Sequence, residues 1–130
     1  MTLADFVAPR KGAPMVWGVN DCCLVISDWA LARTGIDPMS DLRGTYLGWK
    51  QAAGVWRRLG GLEKAICDRL DPHFARVGLW DARPGDIAIA QTHTRHVSGC
   101  ILDLSGVWLP LRDSGYSRHP APLKTIWRIP

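Results

Sequence analysis

Cysteine and histidine are the residue types in this chain that could work together as nucleophile and base. Cys22 stands in Asn20-Asp21-Cys22-Cys23, directly ahead of the apolar run Leu24-Val25-Ile26. A cysteine attacks a carbonyl only as thiolate, and the positive end of a helix dipole is one of the few places that lowers its pKa. The backbone N–H of Cys22 would also be an unpaired donor of a first helical turn, able to point at an oxyanion. A plainer role fits the same position, because Cys22 and Cys23 can be two small side chains packing a buried helix. Cys23 turns to a different side and reads as core. Cys67 falls in a short helical stretch and Cys100 in a strand, where no dipole assists, so both read as structural.

A thiol of this kind needs a base within hydrogen-bond reach, and histidine has the suitable pKa. His73 follows Asp71-Pro72 and His119 precedes Pro120, which places both on surface loops. His93 and His96 bracket the start of a strand, just after the turn Arg83-Pro84-Gly85-Asp86. Two imidazoles without a third ligand read as a polar strand entrance rather than a zinc site, so no metal and no cofactor is expected.

The elements that must position these groups divide the chain into a helical half and a strand half. Asn20 or Asp21 can cap a helix from about Cys22 to Arg33, with Gly35 ending it. Few of its residues are polar, so it should be largely buried. A second helix can begin near Thr45, with Tyr46, Trp49, Ala53 and Trp56 as a core stripe and Gly60-Gly61 as its end. Leu62 to Leu70 reads as a third, short helix. Strands follow at Ile87–Ala90, His96–Leu102, Val107–Leu111 and Thr125–Ile129, with a tight turn over Asp103–Gly106. Helices followed by strands imply α+β, with N-terminal helices packed on a small antiparallel sheet.

A length of 130 residues, 47% of them hydrophobic and 22% charged, suits one folded domain over 1–130 and excludes a disordered chain. The net charge of +4 is spread from Arg10 to Arg128, and no zinc-finger or RNP-type segment accompanies it. Nucleic-acid binding is therefore not expected. The start, 1–14, has its basic residues after the apolar ones, the reverse of a secretory signal. No apolar run approaches the roughly 20 residues that span a bilayer, so no membrane association is expected. Four cysteines without a CxxC pair then read as reduced thiols in a protein made in the cytoplasm.

Several short segments, in order, resemble a known family. Trp17-Gly18, then Asp21-Cys22 opening a helix, then Pro84-Gly85-Asp86-Ile87-Ala88-Ile89, then His96-Val97-Ser98-Gly99-Cys100-Ile101-Leu102, are similar to the NlpC/P60 cysteine peptidases, in particular their phage and prophage branch. Asp41-Leu42-Arg43-Gly44-Thr45-Tyr46 also resembles uncharacterised phage-type relatives. The resemblance covers about Trp17 to Leu102. It implies a papain-like fold, with Cys22 at the nucleophile position, His96 at that of the base and Asp86 as a structural turn residue.

Two departures stand out. Glycine falls at Gly99 rather than directly after Val97, so a one-residue slip would turn His96 to the other face and leave His93 in reserve. The family also carries a third polar residue on the next strand to orient the base, whereas Val107-Trp108-Leu109-Pro110-Leu111 offers none. Asp103 before that strand, or Asp113 after it, could substitute.

The activity so implied is that of a cysteine peptidase or amidase. The Cys22 thiolate attacks an amide carbonyl, His96 protonates the leaving amine, and water releases the acyl group. The implied substrate is a peptidoglycan stem peptide cut at a γ-D-glutamyl bond, with phage tail proteins as partners and the virion tail as destination. The alternative is an inactive papain-like component of a phage tail or assembly complex, which the absent third residue favours.

Overall fold

The computed structural model describes residues 1–103, 105–111 and 115–130. Its helices are α1 (Leu3–Val7), α2 (Leu24–Thr34), α3 (Trp49–Arg58) and α4 (Leu62–Leu70), and its strands are β1 (Arg76–Val77), β2 (Ile87–His93), β3 (His96–Asp103), β4 (Gly106–Leu111), β5 (Gly115–His119) and β6 (Leu123–Trp127). The strands form one six-stranded sheet in the order β1-β6-β2-β3-β4-β5, and every pairing is antiparallel. The α+β class expected from sequence is what the chain adopts. Among the described residues no helix is long and apolar enough to cross a membrane.

The start of α2 is set by one side chain. Asp21 Oδ1 accepts the N–H groups of Cys23 and Leu24 at 3.0 and 2.9 Å, and the Asp21 carbonyl accepts Val25 N–H at 2.9 Å. That pattern is an N-cap, so the hydrogen bonds begin the helix at Asp21, just ahead of its regular turns at Leu24. Gly35, at φ +77°, closes the other end with its N–H on the Leu31 carbonyl. Between these ends Leu24, Val25, Ile26, Ser27, Trp29 and Ala30 are buried, as the scarcity of polar residues predicts.

The second helix starts later than its stripe suggests. It begins at Trp49 behind Gly48, so Tyr46 lies in the preceding loop, and Trp49 is 57% exposed rather than core. Ala52 and Val55 bury that helix instead. The last strand is shifted toward the N-terminus of the expected segment, and β1, β5 and α1, the last held by a Thr2–Asp5 capping box, carry too little periodicity to be read from sequence.

Both faces of the sheet are covered, which explains why Ile87-Ala88-Ile89-Ala90 is continuously apolar instead of alternating. Ile87, Ile89, Ile101, Trp108 and Trp127 pack with the helices, while Ala88, Ala90, Cys100, Leu102, Val107, Leu109 and Ile126 form a second cluster on the opposite face. The turn before β2 is fixed by Asp86, 1% exposed, which accepts Arg83 N–H and the Arg128 guanidinium, both at 2.8 Å.

The sheet opens at one place. β3 pairs with β4 through Ile101↔Trp108, Leu102↔Val107 and Asp103↔Gly106. Continuing that register would oppose Cys100 with Leu109 and then Gly99 with Pro110, which has no N–H to donate. Among the described residues the ladder stops at Ile101↔Trp108, and the head of α2 lies against Gly99.

Candidate active site

Cys22 sits between the cap of α2 and the open edge of β3. Gly99 admits it: a Cβ on that residue would stand 2.3 Å from the Cys22 carbonyl oxygen and 3.1 Å from Ile26 Cδ1. The Ser98 side chain and the backbone N–H groups of Gly99 and Cys22 lie close enough to the Cys22 sulfur to favour its charged form, while the Ser98 hydroxyl itself donates to the Gly99 carbonyl at 3.1 Å. Those groups are outweighed. Burial, and then the Asp21 carboxylate beside it, push the thiol up to about 11. The helix-start position that should activate this cysteine therefore brings an anion with it, because the cap is itself a carboxylate.

Asp21 is tied down on all sides. Besides the two helix N–H groups, its Oδ2 accepts Gly18 N–H at 2.9 Å and the Tyr46 hydroxyl at 2.8 Å. Gly18, at φ +82°, can approach only because it lacks a side chain, whose Cβ would lie 2.0 Å from the Tyr46 carbonyl oxygen. Asp21 also raises the Tyr46 phenol, after burial. On the far side of the cap the Tyr116 hydroxyl donates to Asn20 Oδ1. From sequence Tyr46 reads as part of a core stripe and of a phage-type segment, and neither Ser98 nor Tyr116 is given a role at the thiol. None of these contacts follows any local period.

The two histidines do not join the thiol. Val97 packs with the helical layer and Gly99 touches Cys22. His96 is exposed and lies three residues along β3 from Gly99, a displacement of about 10 Å. Its ring instead faces that of His93 across the β2–β3 hairpin, with centroids 5.6 Å apart. Among the described residues no hydrogen bond joins either imidazole to Cys22.

Asp103 is not brought to His96 either. The two residues are at opposite ends of β3, about 23 Å apart along an extended strand. Asp103 accepts Trp108 Nε1 at 2.9 Å and Arg118 Nε at 2.7 Å, which engages it with β4 and β5. Asp113 lies outside the described residues.

The remaining cysteines and histidines complete the picture. Cys23 is fully buried against Met39 sulfur at 3.7 Å, and Cys100 is fully buried with its thiol on the Ala88 carbonyl at 3.4 Å. Burial pushes Cys100 up to about 12 and Cys67 upward. His119 departs from the surface role expected of it: it is partly buried on β5 and lines, with Ser98, a cleft of about 500 Å³, and its Nε2 has no hydrogen-bond partner among the described residues. No group of His, Cys, Asp and Glu among the described residues could hold a metal ion.

An α+β domain with an aspartate-capped cysteine packed on a glycine of its central strand is the class that fold and site define. The chain belongs to the family described as "Domain of unknown function (DUF6950)", whose model matches residues 1–129. No curated protein and no solved structure matches it.

Proposed function

We propose that this chain is a papain-like domain of the NlpC/P60 type that serves a phage tail or tail-assembly complex as a non-catalytic component. The observation that carries this reading is the set of groups around the Cys22 sulfur: Asp21, Ser98 and Gly99 act on it, and no imidazole does. A thiol pushed up to about 11 with a carboxylate beside it is protonated at neutral pH and is a poor nucleophile. The phage setting rests on the resemblance of the Asp21-Cys22, Pro84-Gly85-Asp86 and His96-Val97 segments to the phage branch of those peptidases. Incubation with muropeptides, followed by mass spectrometry, tests it. No cleavage by the wild type is expected, and cleavage that Cys22→Ala abolishes would overturn the reading.

One specific observation favours a second reading, a cysteine peptidase or amidase acting on the γ-D-glutamyl bond of stem peptides. The Ser98 side chain and the N–H groups of Gly99 and Cys22 all act on one sulfur in the direction that favours a thiolate. Catalytic hydrogen bonds often tighten only when substrate binds. This reading needs the β2–β3 hairpin to bring His96 to Cys22, so His96→Gln would abolish muropeptide cleavage together with Cys22→Ala.

A further inference from the structure

We propose that the cleft between the α3–α4 turn and the β2–β3 hairpin binds an acidic peptide segment, recognised through its side-chain carboxylates. The cleft encloses about 700 Å³, a volume suited to a ligand of a few residues. Its charges are unbalanced: Lys64, Arg95 and Lys124 line it against a single carboxylate, that of Glu63. Lys124 pairs with Glu63 at 2.9 Å and Lys64 with Asp68 at 2.6 Å, whereas Arg95 has no ion pair among the described residues. An unpaired guanidinium at the rim of a cleft, with two half-exposed ammonium groups on the opposite wall, attracts carboxylates and offers them a bidentate partner.

The distribution of these groups selects a peptide over a lone phosphate. The cations stand on two separate walls, Arg95 on the hairpin and the two lysines on α4 and β6, so a ligand must present its charges spaced apart. Trp56 and Val97 supply apolar surface between the walls for the stems of long acidic side chains. Glu63 on the helical wall repels a compact dianion more than it repels separated monoanions. His96 also lines this cleft, so a ligand-binding wall is the place the structure gives it. This inference does not depend on whether Cys22 reacts.

Isothermal titration of the full chain with the blocked peptide acetyl-Ala-Glu-Ala-Glu-amide tests the inference, with the Gln-for-Glu peptide and inorganic phosphate as further arms. Saturable binding of the acidic peptide is expected, weakened about tenfold by Arg95→Gln and by Lys124→Gln, both of which change exposed side chains and leave the circular dichroism spectrum unchanged. Equal binding of the Gln peptide, indifference to both substitutions, phosphate binding as tight as that of the acidic peptide, or no saturable binding at concentrations on the order of 10 mM would each overturn it.

Discussion

The carbonyl oxygen of Cys22 occupies the space where a side chain on Gly99 would begin, 2.3 Å from an ideal Cβ. This one approach seats the head of α2 on β3 just beyond the last β3–β4 pair, Ile101↔Trp108. Alanine in a strand interior ordinarily gains up to about 1 kcal/mol over glycine. Here the clash is with backbone rather than a yielding side-chain end, and the overpacking cost decides the sign. Gly99→Ala is expected to lower stability by at least about 2 kcal/mol in urea titration. An unchanged midpoint would mean that α2 is not seated there.

Asp21 couples the fold to the thiol. One carboxylate oxygen serves Cys23 and Leu24 N–H, while the other serves Gly18 N–H and the Tyr46 hydroxyl. In Asp21→Asn the first set can survive, but an amide nitrogen facing Gly18 N–H opposes donor to donor. The expected loss is about 1–3 kcal/mol. The same substitution removes a negative charge that raises Cys22, so its thiol should titrate at lower pH than in the wild type, as read from thiolate absorbance. Destabilisation without that shift would separate the cap from the electrostatics.

Stability should fall as the solution becomes alkaline. Cys22 is raised from 9.0 to about 11 and Cys100 from 9.0 to about 12. A folded-state value above the unfolded one means that the native chain keeps a proton that the unfolded chain releases. The protonated thiols thus contribute their full stability below about pH 9, and this is lost as pH rises toward 11 and 12. Each thiol adds a slope of about 1.4 kcal/mol per pH unit inside its window. The raised phenols of Tyr46 and Tyr116 act in the same direction. Urea titrations at pH 8, 9.5 and 10.5 read the effect. The Cys100→Ala variant should lose part of the slope, and a flat profile would contradict the raised values of the two thiols, Cys100 fully buried and Cys22 partly so.

Much of this arrangement can be read from sequence, and the rest fails for definable reasons. Asp21 as a cap, Gly35 as a stop and Pro84-Gly85-Asp86 as a turn are local signals, set by side chains that act within four residues of themselves. The displaced Gly99 also carried its information, because glycine spacing on a strand states which face touches another backbone. What stayed hidden is non-local. Tyr46 reaches Asp21 across 25 positions, and Ser98 acts on Cys22 from another element of the fold. A helix start was expected to activate Cys22, yet the residue that caps the helix is the one that opposes its ionisation.

Alkylation of Cys22 by iodoacetamide, followed by peptide mass spectrometry from pH 6 to pH 11, tests the electrostatic state of this thiol most directly. A protonated thiol held by burial and Asp21 should react slowly at neutral pH and about ten times faster per pH unit, with no plateau before the neighbourhood of 11. A fast rate that is already level below pH 8 would contradict it and would place a cationic partner, in practice an imidazole, against the Cys22 sulfur.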